Sequence, residues 1–152
     1  MISIIGAGPS GSYLAYLLAK QNKEVSLFEE HSEIGIPVQC TGLVTSSIKE
    51  IIPIKKEFVI NKLSKVRLVA PNGNYFELKF KNPNILLDRA KFDRYLARLA
   101  KNAGAKIYLN HKFKDYKKPF VYFENNKSYK TRYLVGADGP SSRVAQLSGL
   151  YN

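Results

Sequence analysis

The sequence predicts an α/β fold built around a parallel sheet, and three observations carry that prediction. An apolar run, Ile2 to Ile5, enters a glycine-spaced turn, Gly6-Ala7-Gly8-Pro9-Ser10-Gly11. A helix-patterned segment lies behind the turn. A second apolar run, Val25 to Phe28, then stops at Glu29-Glu30. Strand, G-x-G-x-x-G, helix, strand and acid, in that order, form the pattern of a dinucleotide-binding βαβ unit.

Each part of the pattern has a physical reason. Gly6 allows a tight turn off the strand, Gly8 lets backbone approach a pyrophosphate, and Gly11 lets the helix pack close to the sheet. A helix opening at Pro9 and Ser10 presents free N–H groups and the positive end of its dipole. Gly6, Gly8, Pro9, Ser10 and Gly11 are therefore the candidate phosphate-binding set. Glu29, about 20 residues on, sits where a carboxylate accepts hydrogen bonds from a ribose diol, with Glu30 beside it.

Composition bounds the rest. A length of 152 residues suits one domain, or one and a half small ones. No apolar run approaches the roughly 20 residues that span a bilayer. The first strand starts at once and leaves no room for a signal peptide, and one cysteine, Cys40, excludes an internal disulfide framework, so a cytoplasmic location is expected. Two distant histidines with one cysteine do not make a structural zinc set, so no metal is expected.

The formal net charge of +12 is dispersed, with small clusters at Lys55-Lys56, Lys112-Lys114 and Lys117-Lys118. A solvated lysine-rich surface is its first reading. Peripheral contact with anionic lipid headgroups comes second, ahead of nucleic acid and of an acidic partner subunit. The aromatics alternate like core rather than forming a stacking platform, so a nucleic-acid partner is not expected.

Further along, a helix is predicted from Ser10 to Gln21, with Leu14, Leu17 and Leu18 buried and Ala15 and Ala19 allowing close approach. Asn22 suits a left-handed C-terminal position. His31 to Leu43 reads as a shaped loop, punctuated by Gly35, Pro37 and Gly42. Its thiol, Cys40, fits two readings equally, a small buried hydrophobe or a group placed beside a bound ring system. Ser46 to Ile52 reads as a short helix ending before Pro53.

From Leu63 the period changes to two, and Asn72-Gly73 signals a hairpin whose return strand is Asn74 to Phe80, with Tyr75 or Phe76 facing the core. Asp88 reads as the N-cap of a helix from Arg89 to about Asn102, ended by Gly104. Ala105 to Leu109 is expected as the next parallel strand, followed by an exposed His111. Phe113 to Tyr116, Pro119 to Glu124 and Ser128 to Arg132 read as an antiparallel meander. Tyr133 to Val135 returns to the main sheet, where Gly136, Asp138 and Gly139 bring backbone and a carboxylate to its carboxyl edge. Asp138 also suits a capping role for a last helix from Arg143.

Pro37-Val-Gln-Cys-Thr-Gly42, the run Leu87-Asp88-Arg89-Ala90-Lys91-Phe92-Asp93 to Leu96, and Tyr133-Leu-Val-Gly-Ala-Asp-Gly-Pro-Ser-Ser-Arg143 follow the glycine turn in fixed order. Together they resemble the geranylgeranyl reductase family, flavoproteins of the p-hydroxybenzoate hydroxylase-like group. The resemblance implies a Rossmann-like FAD/NAD(P)-binding fold across residues 1–152, with the hairpin at 63–80 and the meander belonging to the substrate side. It implies FAD as cofactor, NAD(P)H or ferredoxin as electron donor, and an isoprenoid lipid whose prenyl double bonds are reduced. It adds Cys40, Thr41, Arg89, Phe113, Asp138 and Gly139 to the cofactor contacts, Phe113 through its backbone. Cys40 becomes the candidate catalytic residue, as proton donor or as packing that positions the flavin.

Members of the family continue well beyond this length. The resemblance therefore implies an incomplete, N-terminal half, which is either a fragment of a longer chain or the product of a split gene; in the second case a complementary C-terminal-half polypeptide is expected to cover otherwise exposed apolar surface. Two other functions stay open: a flavin monooxygenase or dehydrogenase of the same superfamily, and a non-catalytic nucleotide-binding remnant.

Overall fold

A computed structural model describes residues 1–150. In chain order the elements are β1 (Ile2–Ile5), α1 (Pro9–Lys20), β2 (Val25–Phe28), β3 (Leu43–Val44), α2 (Ile48–Ile51), a 3-10 turn (Lys56–Phe58), β4 (Val59–Val69), β5 (Tyr75–Leu87), α3 (Arg89–Asn102), β6 (Lys106–Tyr108), β7 (Phe113–Lys117), β8 (Phe120–Phe123), β9 (Ser128–Lys130), β10 (Tyr133–Gly136) and α4 (Arg143–Leu147). They form two units, one of residues 1–37 with the chain from Phe92 onward, the other Val38–Lys91.

The first unit holds a four-stranded parallel sheet in the order β10-β1-β2-β6. Its strands are apolar at successive positions because both faces are covered. Ile4, Val25 and Leu27 point to one face, against Ala15 and Ala19 of α1 and Ala100 of α3. Ile5 and Phe28 point to the other, against Phe113, Val121 and Phe123 of the β7-β8-β9 meander and Val144 of α4. The layers are therefore helices, parallel sheet and meander.

α1 departs from the expected face. Gly11, Ser12, Ala15 and Ala19 are its buried residues, whereas Leu17 is exposed and Leu14 and Leu18 are half-buried. Gly11 draws the helix so close to the sheet that only small side chains fit between them, and the leucines are pushed to its flanks. Asn22 takes the left-handed conformation beyond the helix (φ 57°), as expected.

His111 is buried, not exposed. Its Nδ1 bonds the Leu109 carbonyl at 2.6 Å and its Nε2 lies 3.1 Å from the Tyr129 hydroxyl. The ring packs within a cluster with Phe28, Tyr108, Phe123 and Tyr129. Burial in this cluster pushes the Tyr129 phenol pKa up.

The second unit is organised by the β4–β5 hairpin, with β3 paired to the end of β5. Pro71 and Asn72 lie at the centre of the turn, and Gly73 (φ 85°) supplies the left-handed residue that returns the chain. β5 runs to Leu87, beyond the expected end, because the register breaks between Leu63/Asn84 and Lys65/Lys79 and accommodates Pro83. Tyr75 and Phe76 are exposed, contrary to expectation.

The hairpin's two faces differ. Val66 pairs with Leu78 and Leu68 with Phe76, so one face is apolar. Leu68, Phe76 and Leu78 are all exposed there. On the other face Glu77 binds Lys65 at 2.5 Å and Arg67 at 2.8 Å, and these two cations hold its carboxyl below the usual range. Arg67 also lies over the Tyr75 ring, 4.3 Å from its centroid.

Candidate functional site

The site is built where β1, β2, β6 and β10 end, since parallel strands place their carboxyl ends on one side. β1 and β10 run in register from Ile2↔Tyr133 to Ile5↔Gly136, and the ladder continues as Ala137 N–H donates to the Ile5 carbonyl at 2.7 Å. This pairing brings the first glycine turn and the Ala137-Asp138-Gly139 bend together. A methyl at Gly6 would strike the Ala137 carbonyl, and one at Gly11 would strike the Gly6 carbonyl. Both glycines are demanded by the protein itself.

Gly8 is not. Its φ of −66° and ψ of −177° suit any residue, and a Cβ built there meets no heavy atom within 4 Å. Gly8 is the N-cap of α1, with Pro9 in the first turn and no side-chain cap. The result is an open cradle at an uncapped helix N-terminus, bounded by backbone and exposed Ser10. Its donors and shape fit a pyrophosphate.

Glu29 is buried at the end of β2. Its Oε2 accepts the Ala7 N–H at 2.8 Å, and its Oε1 accepts the His31 N–H at 3.1 Å and faces His31 Nδ1 at 2.6 Å. Glu30 is exposed. The backbone of 110–111 runs alongside: Asn110 N–H donates to the His31 carbonyl and His111 N–H to that of Glu29. His31, Asn110 and His111 thus flank the acid, a grouping that the sequence reading missed because the bonds are backbone-made. Phe113 is set further along, its ring in the core and its backbone paired with Phe123.

Asp138 uses both oxygens within its own bend. Oδ1 accepts the Ser142 hydroxyl at 2.6 Å and Oδ2 the Val144 N–H at 3.1 Å. It caps α4 and fixes the bend whose backbone, with Gly139, borders the cradle's sheet edge.

Cys40, Thr41 and Arg89 belong to the second unit. Cys40 is exposed, which excludes the buried-hydrophobe reading. The Gly42 N–H points at its Sγ at 3.4 Å, and the Arg89 guanidinium lies near. The Gly42 N–H has the largest influence and pulls the thiol pKa down; partial desolvation opposes it, and the Arg89 guanidinium and the Thr41 side chain add to the lowering. Thr41 is exposed beside it. Gly42 is held in turn, its carbonyl accepting the Leu87 N–H at 2.9 Å. Asp88 caps the first turn of α3 by accepting the Lys91 N–H at 3.0 Å. Among the described residues no group of three acidic, histidine or cysteine side chains could hold a metal ion. No helix among them is long and apolar enough to cross a membrane.

Fold and cradle together define a Rossmann-like dinucleotide-binding protein. A family model for NAD(P)-binding Rossmann-like domains matches residues 4–43. A probable FAD-dependent monooxygenase from Pseudomonas aeruginosa shares the fold at a TM-score of 0.78, with 16% identity over 99% of this chain and 45% of its own.

More specifically, nearly the whole chain is similar to part of the geranylgeranyl reductases. It is 32% identical over 157 residues to a digeranylgeranylglycerophospholipid reductase of Methanocaldococcus jannaschii, an alignment covering 98% of this chain and 40% of that one. The crystal structure of a geranylgeranyl bacteriochlorophyll reductase-like protein from Thermoplasma acidophilum superposes with a TM-score of 0.82 and 26% identity, over 99% of this chain and 42% of that one. An uncharacterised Methanosarcina barkeri protein from the nifH2 5′ region is 29% identical over 98% of this chain and 87% of its own length. The chain thus spans about 40% of the length of the named reductases it matches.

Proposed function

We propose that this chain is the FAD-binding portion of a flavin-dependent reductase that saturates prenyl double bonds of isoprenoid lipids. The observation that carries the reading is Gly8, a position kept free of a side chain although neither backbone conformation nor protein neighbours require it. An external group that approaches the backbone explains it, and a pyrophosphate is the group that an uncapped helix N-terminus favours.

In this reading Gly6 to Gly11 hold the pyrophosphate, and Glu29, oriented by Ala7 and His31, accepts from the ribose. The bound flavin supplies hydride transfer to the alkene. Cys40 gives the proton at Sγ to the second carbon, a release that the Gly42 N–H, and after it Arg89, make easier by stabilising the thiolate left behind. A second polypeptide completes the enzyme by covering the apolar face formed by Val66, Leu68, Phe76 and Leu78.

FAD titration of the purified chain, followed by flavin absorbance and fluorescence quenching, tests the cofactor. The expected result is saturable binding of one FAD. A chain that takes up no FAD, alone or with its completing polypeptide, overturns the reading.

A further inference from the structure

The second unit contains a pocket of about 320 Å³ lined by Lys49, Ile54, Lys56, Val59, Lys62 and Ile85. Lys49 comes from α2, Lys56 from the 3-10 turn and Lys62 from β4. A β-bulge places Lys62 there. Val59 pairs with Leu87 but Asn61 with Leu86, so Ile60 is the extra residue and Lys62, not Asn61, comes to face Ile85.

Elsewhere on the same hairpin the cations are neutralised, Lys65 and Arg67 both binding Glu77. Lys49, Lys56 and Lys62 have no carboxylate partner among the described residues. Three ammonium groups without a carboxylate partner around an aliphatic floor suit an anion that carries an apolar tail.

We propose that this pocket binds the phosphate head of an anionic lipid, with the three lysines on the phosphate and the first carbons of the lipid on Ile54, Val59 and Ile85. Size decides how much of the lipid enters. At about 320 Å³ the pocket lies at the small end of ligand sites, roughly 300–1,000 Å³, and takes a head and chain start rather than a whole prenyl chain. The floor distinguishes the ligand from free phosphate, since each buried methylene adds about 0.8 kcal/mol. That the lipid is the isoprenoid substrate of the reductase rests on the reading above; that the pocket takes an anionic lipid does not. Ile85 lies two residues before Leu87, about 7 Å along β5, and Leu87 holds Gly42 next to Cys40. The head site and the thiol loop therefore share one strand end.

The test is calorimetric titration of the full chain with dihexanoyl phosphatidic acid below its micelle concentration, with inorganic phosphate and dihexanoylglycerol as comparison probes. The phosphatidic acid is expected to bind one site, at least about tenfold tighter than either comparison. Replacing the ring (Lys49→Gln, Lys56→Gln and Lys62→Gln together) is expected to cost about tenfold or more. The charge-matched variant Lys101→Gln, Lys106→Gln and Lys127→Gln, all exposed in the other unit, is expected to change affinity by less than about threefold.

Inorganic phosphate binding as tightly as the lipid would overturn the proposal, as would equal losses in the two variants or no binding at all. FAD titration of the same preparations separates the two readings. A chain that refuses FAD but binds phosphatidic acid overturns the flavin assignment and supports the pocket.

Discussion

Glu29 reaches back from the end of β2 to Ala7, and its Oε2 accepts the Ala7 N–H at 2.8 Å, fastening the glycine turn to the neighbouring strand. His31 holds the other oxygen. Glu29→Gln keeps the shape but turns an amide NH2 toward one of these donors. A loss of about 1–3 kcal/mol is expected from urea unfolding, with FAD binding weakened about tenfold or more.

Two glycines of the turn separate folding from binding. Gly11→Ala places a methyl against the Gly6 carbonyl and is expected to destabilise by about 2–4 kcal/mol. Gly8→Ala meets no protein atom and is expected to leave stability within about 0.5 kcal/mol while weakening FAD at least about tenfold. Thermal melts and flavin titrations of the pair check this. Unchanged FAD affinity in Gly8→Ala would show that the pyrophosphate lies elsewhere.

Cys40 carries a pH prediction. The Gly42 N–H and the Arg89 guanidinium favour the thiolate, so its pKa falls and the reactive fraction at neutral pH rises. The rate of iodoacetamide alkylation against pH is expected to have its midpoint below that of the same cysteine in the urea-unfolded chain. Arg89→Gln removes one of the groups that lower it, and its midpoint is expected to move upward.

The hairpin's apolar face predicts association. At rising concentration the chain alone is expected to elute from gel filtration ahead of a monomer. Leu68→Ser with Phe76→Ser, both on exposed positions, is expected to restore monomeric elution with little change in melting temperature. A wild-type chain that stays monomeric throughout would leave that face without a partner to explain.

The nucleotide unit was legible because its signals are local. The turn at Gly6, the left-handed Asn22 and the parallel strands all declare themselves within a few residues. α1 was misread at Leu17 because its seating is decided by side-chain size at Gly11, Ser12, Ala15 and Ala19, not by hydrophobicity. His111 was misread because its partners, Leu109, Tyr129 and the ring cluster around Phe28, come from four separate strands and turns. The lysine pocket was illegible because a one-residue bulge, invisible in the alternation, decides that Lys62 rather than Asn61 faces Ile85.

The pairing of β1 with β10 joins the chain's beginning to residues 133–136. On a ribosome, which synthesises from the N-terminus, the glycine turn emerges early and waits. Until β10 arrives, β1 keeps one row of backbone groups unpaired, and the Ala137 carbonyl that walls the turn is missing. The cradle is therefore complete only once residues 133–137 have joined β1, a pairing across more than a hundred residues of chain.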